Sequence, residues 1–452
     1  MPSNHNASDT RVIGRSVLLS AALGAALTPL NSTMVAVALP ALGEHFASPA
    51  AAVTVLVVSG YLIATLVLAV PAGSIADRIG YAGALTWGRW MFGAGTVIGA
   101  MAPTLSAVVI GRLLMAAGGA LINPTAFALL RVSMPPEKRS RAFGTMGAVM
   151  AGAAAIGPGL GAWLTASVGW RSLFLINVPL LVGSWLLQPP ALVPAERGTR
   201  TGFDWGGSVL IGAALLCVTF ATRISAPLSY VVATSGAALL VLLVLHERRV
   251  EAPILNLSFF TSRGFVAGAG VIATQNLAMY SLLIQVPFLF GGAAIDSQLG
   301  LAIIAMTFTM AAASPLGGWL GEWVDVRVVV AAGGVLATAG VVGLTRLTSS
   351  ALPSEIGMRL LLVGLGLGLS TGPANASAIS AVPVHQSAMA SATVSMLRYL
   401  GAICGTVILS LALAAGPAGT QLALWMFAAA LAGSVALGLA LPPLPDARER
   451  GR

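Results

Sequence analysis

Apolar runs of about 18–25 residues recur from residue 16 to residue 441, separated by mostly short polar connections. As an α-helix, each run can cross a hydrocarbon core about 30 Å thick. The runs fall near 16–39, 52–73, 82–102, 104–130, 142–166, 171–189, 205–222, 227–245, 263–290, 298–320, 327–346, 356–381, 387–414 and 420–441, about fourteen spans in all. Two connections are longer and polar, PPALVPAERGTRTGFD (189–204) and HERRVEAPILNLSFFTSRG (246–264). They bracket a hairpin of two spans, with six spans before it and six after. The predicted fold is therefore an all-α polytopic membrane protein of two six-helix bundles, 1–190 and 262–452. Residues 191–261 hold cytoplasmic loops and the inserted hairpin. An internal echo relates the halves: Pro71-Ala72-Gly73 precedes Asp77-Arg78, and Pro315-Leu316-Gly317 precedes Glu322. Repeated bundles with a site between them are the usual architecture of secondary transporters.

Composition agrees with the pattern. The chain is 57% hydrophobic and 8% charged, against about 25% charge in soluble domains. Arg11 and Arg15 precede the first run as in a signal peptide, but apolar runs continue to the far end, so the first is read as an anchor. The net charge of +9 reads as positive-inside bias rather than as a nucleic-acid footprint. With the N-terminus inside, Arg78, Lys138, Arg139, Arg141, Arg197, Arg200, Arg248, Arg249, Arg327, Arg448, Arg450 and Arg452 fall on the cytoplasmic side. Arg171, Arg223 and Arg346 fall outside, and both termini are cytoplasmic. Cys217 and Cys404 lie in apolar runs and form no disulfide framework or metal cluster. No H-E-x-x-H, nucleotide-binding P-loop or Ser–His–acid set is evident among the four His, so neither an enzyme nor a cofactor is expected. Lys138 is the sole lysine beside 22 Arg, amid abundant Ala and Gly, a composition associated with a GC-rich bacterial genome and a cytoplasmic (inner) membrane location. A monomer is the default expectation.

Motifs sit on this frame. GSIADRIG (73–80) puts an acid and a base between two glycines on a tight turn. Asp77 there can accept from free N–H groups of a neighbouring helix N-terminus, and Arg78 can pair with acids or carbonyls. Such a latch must break when bundles rock. In span 4, GRLLMAAGGALINPTAFALL (111–130), residues Arg112, Met115, Gly119 and Asn123 share one helical face. A guanidinium inside a span costs roughly 2.5–3.5 kcal/mol on insertion scales; it faces the protein interior or a wet cavity, or snorkels near the outer end. Span 5 carries Gly157 and Gly161 as a seam for close helix contact, and Pro158 deprives the Ala154 carbonyl of its partner and bends the helix.

With these elements in order, the chain resembles the major facilitator superfamily, and within it the fourteen-helix drug:proton antiporter branch. The G-x-x-x-D-R-x-G loop matches Gly73, Asp77, Arg78 and Gly80, and the span-4 arginine matches Arg112. The span-5 antiporter motif matches Gly152, Gly157, Pro158, Gly161 and Ala162. Gly169, Trp170, Arg171, Phe174, Asn177 and Pro179 match a G-W-R-x-x-F-x-x-N-x-P segment. Leu30, Thr33, Val35, Ala38, Leu39 and Pro40 match the branch's span-1 motif. The resemblance implies multidrug efflux by alternating access, in which two bundles rock around amphipathic cargo while protons flow inward. Partners would be a small-molecule substrate, the lipid bilayer and, on this reading, protons.

The pattern breaks at several points. The branch's span-1 acid is Asn31, which cannot exchange a proton near neutral pH. The remaining carboxylates, Asp204 and Glu247 among them, read as loop or span-end residues, with none near midplane. Glu44, His45 and Asp296 are the nearest titrating candidates, each also readable as an exposed loop residue. Tyr81 and Ala82 replace the basic cluster after Gly80, which leaves the strength of the latch open, and Met115 replaces a frequent glutamine. Arg89 and Arg398 add in-span positive charge without an evident acid partner; both can snorkel, or with Arg112 suit the cavity to neutral or anionic cargo. Asn31, Met34, Val35 and Ala38 share a face of span 1, so Asn31 is either a pocket residue or a bond between helices. In the second half Gln275, Asn276, Met279, Tyr280 and Leu283 form a polar, soft stripe, and Asn375 joins them; helix packing is the alternative role for each. Two functions stay open: a proton-linked exporter, and a facilitator or differently coupled exporter of neutral or anionic metabolites. A non-transporting sensor or scaffold is the weakest reading.

Overall fold

The structure, a computed structural model, describes residues 5–49, 53–188, 204–221, 228–250, 253–290, 297–347, 351–414 and 416–442. Among these residues there is no strand. The helices are α1 (His5–Val37), α2 (Leu39–His45), α3 (Gly60–Ile79), α4 (Tyr81–Ala100), α5 (Leu105–Ser133), α6 (Pro136–Ser167), α7 (Ser172–Leu175) and α8 (Asn177–Leu186). They continue as α9 (Trp205–Ala221), α10 (Leu228–Glu247), α11 (Arg263–Phe290), α12 (Ser297–Trp323), α13 (Val326–Thr345), α14 (Pro353–Ser380), α15 (Ser387–Ala414) and α16 (Gly416–Leu439). A π-helical turn, Thr54–Ser59, leads into α3.

Among the described residues eleven helices are long and apolar enough to cross a membrane, fewer than the fourteen spans expected. The shortfall has a physical cause. The stretches Ser172–Leu186 and Trp205–Cys217 are apolar but short, and α4, which holds Arg89, is not among the eleven.

Two compact units result. The first comprises Met1–Met134, Gly152–Leu257 and Pro383–Ser395; the second comprises Pro135–Ala151, Ser258–Val382 and Met396–Arg452. The hairpin α9–α10 belongs to the first unit and packs on α3. The first unit also contains a 13-residue piece of the sequence's second half, the start of α15.

Small residues set the helix spacing in the first unit. A Cβ on Gly95 would stand 2.7 Å from Met115 Cγ, and one on Gly118 would stand 2.6 Å from the backbone nitrogen of Phe92. Helices α4 and α5 thus meet backbone to backbone, as membrane helices do where apolar burial drives nothing. Local signals mark the helix starts. The Thr104 side chain accepts the Ala107 N–H and caps α5, and Asp325 accepts the Arg327 N–H at 2.9 Å and caps α13. Gly80, between α3 and α4, has φ +86°, a left-handed backbone that favours glycine. In the second unit Leu282, Val286, Met306, Val341, Leu360, Leu367, Phe427 and Leu431 form a continuous apolar core.

Candidate functional site

Helix α5 carries Arg112 into the first unit, where it is 0% exposed; snorkelling to the helix end is thereby excluded. Its Nε donates to the Val57 carbonyl at 3.1 Å, its Nη1 donates to Asn31 Oδ1, and its guanidinium lies 3.9 Å from the centre of the Tyr61 ring. These partners are a carbonyl, an amide and a π-face. Carbonyl access at Val57 comes from the π-helical turn before α3, where the regular bonding pattern is disturbed. Arg112 Nη2 and Asn31 Nδ2 have no hydrogen-bond partner among the described residues.

The other polar groups of span 1 resolve differently from one another. The Ser32 hydroxyl donates to the Pro29 carbonyl at 2.9 Å, and the Thr33 hydroxyl donates to the Pro29 and Leu30 carbonyls, so both bond back within their own helix. Met34, Val35 and Ala38 are fully buried with Asn31. The antiporter-motif glycines meet α1 here. A Cβ on Gly157 would collide with the Thr33 hydroxyl, and one on Gly161 would stand 2.5 Å from the Met34 carbonyl oxygen. Gly152, in the same motif, has open space. On α5, Met115 is enclosed, Gly119 faces the Thr28 hydroxyl, and Asn123 is buried with Oδ1 unpartnered among the described residues.

A second constellation surrounds the turn between α3 and α4. Asp77 is buried and accepts the backbone N–H of Ala388 at 3.0 Å and of Met389 at 2.8 Å. Those are free amides of the first turn of α15, where the helix dipole favours an anion. The Tyr81 hydroxyl also reaches Asp77, at 3.0 Å, and lies 3.1 Å from the Val384 carbonyl. Where the basic cluster is missing, the Tyr81 hydroxyl supplies a further partner to the carboxylate. Arg131, at the end of α5, donates to the Pro383 carbonyl and to the Ser387 hydroxyl. A Cβ on Gly73 would stand 2.5 Å from Ala392 Cβ and 2.7 Å from the Ala388 carbonyl oxygen, so only glycine lets α3 approach α15 this closely.

The remaining candidates are dispersed. Arg89 is buried between α1 and α8, donating to Ser184 Oγ at 3.1 Å, to Ser20 Oγ at 2.9 Å and to Gln188 Oε1. It borders an apolar groove of about 520 Å³ lined by Trp90, Val97, Leu181 and Trp185 on the α4–α8 flank, away from Arg112. In the second unit the Asn276 and Asn375 amides donate to the Ile272 and Thr371 carbonyls one turn back. Gln275 is buried with Nε2 unpartnered among the described residues, Tyr280 is 38% exposed, and Arg398 lies 3.5 Å from Asn375 Oδ1. Glu44 and His45 are exposed at the end of α2, and Asp296 lies outside the described residues. Asp204 and Glu247, expected as loop or span-end groups, are buried beside His246, because α9 and α10 fold their ends together.

Sequence reasoning missed Tyr61, the Val57 carbonyl, Arg131 and the Ser20–Ser184–Gln188 cage. A lone Tyr in an apolar span was the available signal for Tyr61. The others are pairings across helices, which periodicity does not reveal.

The sequence pattern of the Major Facilitator Superfamily matches residues 21–203. The chain is similar to the "Multidrug resistance protein Stp" of Mycobacterium tuberculosis (strain CDC 1551 / Oshkosh), 30% identical over 414 residues, covering 88% of this chain and 75% of that protein. It is also similar to the "Tetracenomycin C resistance and export protein" of Streptomyces glaucescens, 28% identical over 412 residues, with 88% and 75% covered. Among solved structures, the proton:xylose symporter XylE bound to 6-bromo-6-deoxy-D-glucose aligns with a TM-score of 0.69 at 15% identity, over 94% of each chain. The human organic anion transporter MFSD10 (TETRAN) aligns at 0.65 and 15%, over 95% of this chain and 99% of that one. These two likenesses concern the fold.

Proposed function

The chain belongs to the major facilitator superfamily, and on that premise we propose that it is a secondary active exporter of drugs or amphipathic metabolites, working by alternating access as a proton-coupled antiporter. The observation that carries the reading is Asp77 seated on the amides of Ala388 and Met389. A carboxylate held by a helix N-terminus is a bond that can be made in one state and broken in another, as rocking requires. The names of the curated relatives, which denote resistance and export, support the direction of transport. In this reading Gly73, Asp77, Arg78 and Gly80, with Gly152, Gly157, Pro158 and Gly161, form the conformational switch. Asn31, Met34, Arg112, Met115 and Asn123 in one half, and Gln275, Asn276, Tyr280 and Asn375 in the other, contact cargo. The short helices Ser172–Leu186 and Trp205–Cys217, with α4, complete fourteen spans in a bacterial inner membrane, both termini cytoplasmic.

A second reading rests on Arg112. Its charge is enclosed and its partners are neutral, which favours neutral or anionic cargo and a coupling that does not run through Asn31. Flux of cationic, neutral and anionic compounds in everted vesicles, with and without a pH gradient and repeated with Asn31→Asp, separates the two. Gradient-dependent export by the unaltered protein supports antiport through another residue. Gradient-independent flux that becomes gradient-dependent in Asn31→Asp supports the second reading. Absence of flux for every compound class, with the protein correctly inserted, refutes both.

A further inference from the structure

The inserted hairpin brings together titratable groups that the transport reading does not use. Asp204 caps α9: its Oδ1 accepts the Gly207 N–H at 2.8 Å and lies 2.8 Å from His246 Nε2. Glu247 ends α10, and its Oε1 accepts the Leu255 N–H at 3.4 Å. Both acids are buried, 7% and 5% exposed, and the second oxygen of each, Asp204 Oδ2 and Glu247 Oε2, has no hydrogen-bond partner among the described residues.

The two carboxyl groups converge over the first turn of α9. Glu247 Oε1 and Asp204 Cγ lie 2.8 Å and 3.0 Å from the one point where a Cβ on Gly207 would stand. They are therefore within about 6 Å of each other, the range in which like charges suppress each other's ionisation. Glycine at 207 is what leaves room for the approach. The charged groups facing the pair are few among the described residues. From α10 comes His246, whose side chain is 33% exposed. From α3 comes Arg78, which interacts electrostatically with Asp204. The 253–257 segment contributes backbone N–H groups, those of Leu255 and Ile254, and Arg248 and Arg249 are exposed beyond the helix end.

We propose that Asp204 and Glu247 form a proton-binding site able to hold one proton between them, with the partly exposed His246 as its contact with solvent and Arg78 as its electrostatic link to the α3–α4 turn. With His246 neutral, the two buried carboxylates face one guanidinium among the described residues, and a single proton on the pair offsets the remaining negative charge while giving an unpartnered oxygen a donor. The link has a consequence. Arg78 adjoins Asp77, so loss of the shared proton strengthens the pull on the residue next to the one that holds α15. The inserted hairpin thereby reports pH to the turn, whatever the cargo.

Infrared difference spectroscopy of the full chain in lipid nanodiscs, titrated between about pH 8 and about pH 5, tests the site without a transport substrate. A protonated-carboxyl band that appears with falling pH is expected in the unaltered protein. It should be absent in Glu247→Gln and in Asp204→Asn, and intact in the control Glu44→Gln. Arg78→Gln removes a facing cation, so the midpoint should rise by roughly one pH unit. Gly207→Ala forces the carboxyls apart and should move the midpoint even if Asp204→Asn, which weakens a cap, fails to fold. A band that survives Glu247→Gln, or a midpoint unmoved by both Arg78→Gln and Gly207→Ala, overturns the proposal.

Discussion

Replacing Asp77 by Asn keeps the shape of the side chain and removes its charge, which isolates what the carboxylate does at the start of α15. In the structure Asp77 accepts two backbone N–H groups, from Ala388 and Met389, and lies within hydrogen-bond distance of the Tyr81 hydroxyl. An amide offers one acceptor oxygen in place of two, so at least one of the amides loses its partner, and the amide's own N–H₂ opposes it. A buried donor left unpaired costs about 1–3 kcal/mol. Loss of the charge–dipole attraction at a partly buried helix N-terminus adds about 1 kcal/mol. Together the local opening of this contact becomes about 2–4 kcal/mol easier, which corresponds to roughly 30-fold to nearly 1,000-fold faster exchange where local opening limits it. Hydrogen–deuterium exchange of the 384–390 peptide in detergent or nanodiscs reads this directly. Tyr81→Phe should give a smaller acceleration, and the double variant less than the product of the two, because both act on one carboxylate. Exchange in Asp77→Asn within threefold of the unaltered protein would refute the latch.

Three further outcomes follow from the packing. Gly73→Ala should lower the thermal unfolding midpoint, because its Cβ meets the Ala388 carbonyl and Ala392, whereas Gly152→Ala, inside α6 with no described atom within 4 Å, should leave it unchanged or raise it; equal effects in a melt of the purified variants would contradict the geometry. Asn31→Asp places a carboxylate on the buried Arg112 guanidinium and should raise the midpoint near neutral pH, since it pairs a charge that is already buried; a lowered midpoint would show that Arg112 is compensated in another way. Arg89→Leu removes a cation that ties α4 to α1 and α8 through Ser20, Ser184 and Gln188. The reciprocal Ser20–Ser184 bonds remain, so the loss should be about 1–3 kcal/mol in reversible denaturation, and an unaltered stability would argue that the cage is slack.

What the amino-acid sequence determined by itself was the class of molecule. Long apolar runs and sparse charge leave no way to satisfy the backbone in lipid except helices, and the order of Gly73, Asp77, Arg78, Arg112, Gly157 and Gly161 carried the family resemblance. It also identified Asp77 as an acceptor for a helix N-terminus, because a lone acid between glycines at a span end has few other uses. Which helix it would meet was not legible: Ala388 lies 311 residues away, and nothing in a 3.6-residue period encodes that pairing. The same limit hid Tyr61 and Val57 from Arg112, Tyr81 from the latch, and Glu247 from Asp204. Periodicity reports which face of a helix is apolar; tertiary packing decides which two faces meet, and so whether an isolated charge is paired, capped or left for a proton.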